Sequence, residues 1–116
     1  MRRRAPPQTL KRRSDYLAAR RGASFGTPGF LMIRRSRDDG APVRFGYTIT
    51  KKMGPAVTRN LMRRRLKEAV RLVYRDVDMM GSDVVLIARP AAARRAFPLL
   101  LDDVKRALLR LRKDTN

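Results

Sequence analysis

The chain has 116 residues, enough for one domain with a single modest core, and it carries 29 Lys and Arg against 10 Asp and Glu, a formal net charge of +19. Cysteine and histidine are both absent, which excludes disulfides, Cys/His zinc sites, thiol nucleophiles and imidazole acid–base chemistry. Residues 1–75 hold 21 of the basic residues and only 4 of the acidic ones, so the implied partner is an anionic surface met by the part of the chain that contains the main helix.

Residues 1–8, with Arg2, Arg3, Arg4 and the Pro6–Pro7 pair, bury too little apolar surface to order themselves and read as a flexible basic arm. No run of about seven or more apolar residues follows, so this is not an export signal. The longest apolar run, Val84–Ala88, is far short of a membrane span. The expected setting is soluble, intracellular and cytoplasmic, with a single domain over residues 9–113.

A helix is expected from Thr9 to Arg21, stopping before Gly22, with Leu10, Tyr16 or Leu17, and Ala18 turned inward. Phe30–Arg35 reads as a strand, and Ser36–Pro42, containing Asp39–Gly40, as the loop of a hairpin. Val43, Phe45, Tyr47 and Ile49 then alternate with Arg44, Gly46, Thr48 and Thr50, the period of a half-buried strand with one apolar face and one small, polar face.

The stretch from Thr50 to Arg75 organises the chain. Gly54 and Pro55 punctuate the start of a helix. Met62, Leu66, Ala69, Val70, Val73 and Val77 recur three or four apart as one apolar stripe, and the helical region is expected to run to Gly81–Ser82. Nine basic residues occupy the stretch (Lys51, Lys52, Arg59, Arg63, Arg64, Arg65, Lys67, Arg71 and Arg75), opposed only by Glu68. Arg59, Arg63 and Lys67 stack turn upon turn, with Asn60, Arg64 and Arg71 beside them, so the face repels itself. A solvated helix face ordinarily mixes Glu with Lys; this one fits a polyanion, whose condensed counterions are released when Lys and Arg meet phosphate.

Val84–Ala88 has the composition of an interior strand covered on both faces, closed by Arg89–Pro90. A last helix begins near Pro98, with Leu101, Val104, Leu108 and Leu111 at core spacing and Arg110, Arg112 and Lys113 in its final turns. The carboxylate pairs offer no catalytic cluster: Asp38–Asp39 precede Gly40 in a turn, and Asp102–Asp103 are expected in the first turn of the last helix, where negative charge suits the dipole.

From Thr50 onward the residues resemble those of the protein subunit of bacterial ribonuclease P. The resemblance rests on Thr50-Lys51-Lys52-Met53-Gly54, Ala56-Val57, Arg59-Asn60 and Arg63-Arg64-Arg65-Leu66-Lys67-Glu68-Ala69. The strand Arg44-Phe45-Gly46-Tyr47-Thr48-Ile49 precedes them. Leu10-Lys11 with Asp15-Tyr16, and Leu86-Ile87-Ala88-Arg89, are similar to the family's first helix and last strand. The fold expected is α+β, an α/β sandwich of order α-β-β-β-α-β-α, one strand more than the periodicity locates. It would have one small twisted sheet with helices packed on it and, as the resemblance implies, a left-handed β-α-β crossover through the basic helix.

The resemblance further implies a monomeric subunit in a 1:1 complex with a catalytic RNA, acting on precursor tRNA and touching no membrane. Magnesium bound mainly by that RNA would carry out the endonucleolytic hydrolysis that removes the 5′ leader. Carried over residue by residue, Lys51, Lys52, Arg59, Asn60, Arg63, Arg64, Lys67 and Arg71 would contact the catalytic RNA, and Tyr16, Arg20, Phe45 and Arg89 would belong to a leader-binding cleft. For Phe45, periodicity allows core packing equally. The chain departs from the family pattern at Leu61, where an Arg is usual, at Ala19–Arg20, where a second aromatic is common, and at Ile33, where some members have Tyr. A structural RNA-binding protein of ribosomal type and a DNA-binding module are the alternative readings of the charge, the latter disfavoured by the absence of helix-turn-helix spacing or a dimerising zipper.

Overall fold

In the computed structural model, which describes residues 7–112, the elements run β1 (Gln8–Thr9), α1 (Arg13–Ala19), β2 (Ala23–Gly26), β3 (Phe30–Ser36), β4 (Arg44–Thr48), α2 (Ala56–Val73), β5 (Ser82–Ala88) and α3 (Phe97–Leu111). Single 3-10 turns occupy Lys51–Met53, Tyr74–Asp76 and Pro90–Ala93. The strands form one sheet in the order β1-β4-β5-β3-β2, an α+β architecture as expected. Most of the expected basic arm and the C-terminal tail from Lys113 lie outside the described residues.

The centre of the sheet follows from β5. Val84, Leu86 and Ala88 point to one side and Val85 and Ile87 to the other, and all but Ile87 are buried. A strand apolar on both faces is stable only between two layers. On one side α2 and α3 supply Met62, Leu66, Val70, Leu100, Val104 and Leu108, packed with Phe30, Met32 and Phe45 into the main core. Leu66, Leu86, Leu100 and Leu108 are fully buried, each contributing about 1.5–3 kcal/mol relative to an exposed position. On the other side Leu10 and Ala19 cover Val85, with Tyr16 and Ile87 beside them.

Several sequence-based expectations fail, each for a physical reason. β3 and β4 do not form a hairpin. β5 lies between them, antiparallel to β3 (Leu31 opposite Ile87) and parallel to β4 (Phe45 opposite Val84). Ser36–Pro42 therefore crosses two strand spacings, roughly 10 Å. The chain's hairpin joins β2 to β3, with the Thr27 hydroxyl donating to the Phe30 carbonyl at 3.0 Å and accepting the Phe30 N–H at 3.2 Å.

The first helix is shorter than Thr9–Arg21 because Gln8–Thr9 pair in parallel with Arg44–Phe45. α2 ends at Val73, before the expected limit. In α3 the inward leucine is Leu100, Leu101 being half-buried, and Asp102–Asp103 lie beyond the first turn. Asp103 is buried because it accepts hydrogen bonds from Arg95 and Arg106.

One buried charge ties the strands together. Asp83, wholly inaccessible at the centre of the sheet, accepts two hydrogen bonds from Arg44, Nε to Oδ1 at 2.9 Å and Nη2 to Oδ2 at 2.8 Å, and one from Arg37 at 2.6 Å. Arg35 is 3.6 Å away. The hydrogen bonds to Asp83 hold Arg44 above its ordinary pKa. For Arg37 burial opposes the charge, but bonds to Asp39 and Asp83 outweigh it. Arg44 also reaches Asp15 of α1 at 3.5 Å, linking the outer layer to the sheet.

At the outer edge of β4, Leu10 N–H donates to Phe45 O at 2.8 Å. The next outward amide, Tyr47 N–H, donates to the Tyr16 hydroxyl at 3.2 Å, and that hydroxyl donates to Leu10 O at 3.4 Å. Beyond Tyr47 the edge has no strand neighbour among the described residues.

Removing a buried partner strands the charges it balanced, so Asp83→Ala is expected to lower unfolding free energy by about 3–5 kcal/mol in urea titration. A loss below about 1 kcal/mol would mean that the arginines rehydrate without penalty.

Candidate nucleic-acid interface

α2 begins where Gly54, at φ +128°, turns the chain out of the Lys51–Met53 turn, a conformation that L side chains rarely adopt. Arg59 Nε donates to the Gly54 carbonyl at 3.0 Å, bracing this entry. The stripe of Met62, Leu66, Ala69, Val70 and Val73 is buried as its spacing implies, leaving the basic side of the helix outward.

The basic residues do not all play one part. Lys51, Lys52, Asn60, Arg64 and Lys67 are exposed, while Arg59 and Arg63 are half-buried. Arg71 is engaged by Glu68, Nη2 to Oε2 at 2.6 Å and Nε to Oε1 at 3.0 Å, and the pairing keeps Glu68 below the usual carboxylate range. Arg65 turns away to donate to the carbonyls of Ala93 and Arg95, fastening α2 to the segment before α3. Lys51, Lys52, Arg59, Arg63, Arg64 and Lys67 make no ion pair with any carboxylate among the described residues. Leu61, in the motif position that departs from the family pattern, is 37% exposed, and Leu72, about three turns farther along the same side of the helix, is 36% exposed.

Between α1 and the sheet lies a cleft of about 480 Å³. Ile33, Val85 and Ile87 make its apolar floor, Lys11, Arg13 and Arg20 line the α1 side, and Arg63 reaches it from α2. Two of the four residues expected there, Tyr16 and Arg20, are present. Phe45 is not: it is 1% exposed and packs edge-to-face on Tyr74 at 6.1 Å, so its core role prevails and it offers no face to a base in the cleft. Arg89 is also elsewhere, donating to the Thr27 carbonyl at 2.9 Å across the end of the sheet.

Tyr16 is less free than a stacking platform. Its hydroxyl is engaged with Leu10 and Tyr47, and its ring lies over Gly46, where an added Cβ would approach it to 2.6 Å. Gly46 is therefore needed for space. Sequence reasoning missed Lys11, Arg13, Thr48 and Ile49 as cleft residues. The available signal was the second apolar face of β5, which called for a covering layer.

Residues 5–112 match the family model described as Ribonuclease P. The chain belongs to the ribonuclease P protein family. A ribonuclease P protein component from Gluconacetobacter diazotrophicus is 46% identical over 100 residues, covering 85% of this chain and 86% of that protein. One from Ruegeria pomeroyi is 47% identical over 105 residues, covering 88% and 84%. Among solved structures, the RNase P protein from Thermotoga maritima superposes with a TM-score of 0.76 at 24% identity, covering 91% of this chain and 99% of that one. The protein from Staphylococcus aureus gives 0.73 at 22%, covering 93% and 97%. At those identities the two structures support the ribonuclease P protein fold.

The buried and half-buried carboxylates, Asp15, Asp83 and Asp103, are each paired with arginine, and no cluster of three or more acidic side chains exists among the described residues. A magnesium site built wholly from protein carboxylates would need such a cluster, since the ion takes six oxygen ligands. No described helix is long and apolar enough to cross a membrane.

Because Tyr16 leaves no room for a methyl group, Gly46→Ala is expected to overpack this contact and lower stability by about 1–3 kcal/mol. Amide shifts in an NMR spectrum should move in α1 and around Tyr47, with α3 unaffected. Shifts confined to β4 would show that Tyr16 is not held there.

Proposed function

We propose that this protein is the RNA-binding subunit of a ribonuclease P ribonucleoprotein. The outward side of α2, with Lys51, Lys52, Asn60, Arg64 and Lys67 exposed and Arg59 and Arg63 at its margin, lies on the catalytic RNA. The cleft under α1 holds the single-stranded 5′ leader of precursor tRNA. The RNA, with magnesium bound to it, hydrolyses the phosphodiester and releases the mature 5′ end.

The observation that carries this reading is a helix face on which Lys51, Lys52, Arg59, Arg63, Arg64 and Lys67 have no carboxylate partner among the described residues, beside a cleft with an apolar floor and cationic walls. Phosphates facing such a surface release counterions. Charges held within a Debye length, about 8–10 Å at 0.1–0.15 M salt, also lessen the repulsion between two RNA molecules that must approach each other. The protein's role is then to reduce the magnesium concentration at which the RNA works. With few aromatic faces available in the cleft, leader binding relies on Lys11, Arg13, Arg20 and Arg63 meeting backbone phosphate.

Mixing the purified protein with its cognate catalytic RNA is expected to restore leader removal from precursor tRNA at magnesium concentrations where the RNA alone is inactive; no stimulation would refute the assignment. Replacing Arg59, Arg63 and Arg64 together with Ala should leave the fold intact. It should also flatten the plot of log affinity for that RNA against log salt by roughly 0.7–0.9 per lost phosphate contact. An unchanged slope would remove these residues from the interface.

A further inference from the structure

A second groove, also of about 480 Å³, opens on the other side of the β4 edge. Pro7, Thr9, Tyr47 and the edge of the buried Phe45 line one wall and Arg64, Lys67 and Arg71 the other. It is distinct from the cleft under α1, with which it shares only Tyr47. Lys67 Nζ lies 5.9 Å from the Tyr47 ring centroid, so a cation already sits over the aromatic face. Burial raises the Tyr47 phenol above its ordinary range, keeping the ring neutral at working pH.

We propose that this groove holds one unpaired nucleotide of the RNA that α2 faces, its base against Tyr47 and Pro7 and its phosphate between Arg64 and Lys67. The assignment rests on the reading of α2 as the surface that meets the catalytic RNA. Three features select this occupant. The volume falls in the range that takes a small organic molecule. An apolar, aromatic wall gives nothing to a sugar-phosphate backbone but favours the flat face of a base, and a duplex keeps those faces stacked away, so the nucleotide must be unpaired.

The third feature is Glu68, which lines the same groove with its carboxylate held by Arg71 at 2.6 Å. A pocket for phosphate alone would not carry a carboxylate, whereas an acceptor beside a guanidinium suits the hydrogen-bonding edge of a base. Every cation of the groove belongs to α2, while the cleft takes only Arg63 from that helix. The groove is thus continuous with the surface assigned to the catalytic RNA, and the occupant comes from that molecule. On binding, the base replaces Lys67 over the Tyr47 ring and the amine moves to the flanking phosphate.

Full-length protein with p-benzoylphenylalanine in place of the exposed Thr9, assembled with the catalytic RNA in the absence of precursor tRNA and irradiated, is expected to crosslink to one unpaired nucleotide. No crosslink, crosslinks scattered over paired regions, or crosslinks that appear only on the leader once precursor tRNA is added would each overturn the proposal. Tyr47→Leu should weaken affinity for the catalytic RNA about 5- to 150-fold, the loss of one base–aromatic stack, without changing the salt slope, and Tyr47→Phe should retain binding.

If Tyr47→Leu folds by circular dichroism and binds normally while Arg59, Arg63 and Arg64 still set the salt slope, the groove fails and the RNA-facing reading of α2 stands. If those arginines do not affect the slope, the underlying reading fails instead. Should Tyr47→Leu not fold, the crosslink decides.

Discussion

A strand that is apolar on both sides can be stable only if something covers each side, and β5 imposes that requirement on the whole chain. Two helices satisfy it on one face and one short helix on the other, and the basic helix and the cleft under α1 meet where Arg63 reaches the cleft. Asp83 completes the arrangement. Its carboxylate is buried where β4, β5 and the crossing loop converge, and the arginines that neutralise it come from β4 and from that loop. Since a buried carboxylate is tolerated only with such partners, the chain cannot separate these segments without exposing an expensive charge.

The same economy of carboxylates governs the surface. Of the ten acidic residues, half are committed to arginines: Asp83 and Asp103 inside, Asp15 to Arg44, Asp39 to Arg37 and Glu68 to Arg71. Apart from Arg71, the cations along the exposed side of α2 find no counter-charge among the described residues. A helix bearing them is destabilised by its own repulsion, and the deep burial of Met62, Leu66, Ala69 and Val70 holds it in place. Arg65 shows that charge alone does not define the interface, since its guanidinium is used to fasten two elements of the protein.

The amphipathic α2 was legible because its two sides differ sharply in chemistry and repeat at the helical period. The burial of β5 was legible for a similar reason. Its position was not, because adjacency in sequence favours pairing β3 with β4, and the strand that separates them arrives only after α2. The strand β2 gave no signal, as Ala23, Ser24 and Gly26 carry no apolar alternation. Phe45 and Tyr47 illustrate the limit within the site. They share one face of β4 and look equivalent by period, yet Phe45 is almost wholly buried and borders only the groove beside α2, whereas Tyr47 is half-buried and borders both cavities. What distinguishes them is where β1 stops, a two-residue pairing that no periodicity could announce.

That short β1 has a consequence for the protein when it is alone. An uncovered length of sheet is a template on which another copy could add a strand. Here the bare part of β4 is flanked by Lys11, Arg13, Arg63 and Lys67, so an approaching twin brings the same charges and is repelled. Like charge thus opposes like charge along this edge, and concentrated salt, which shortens the reach of that repulsion, weakens the opposition.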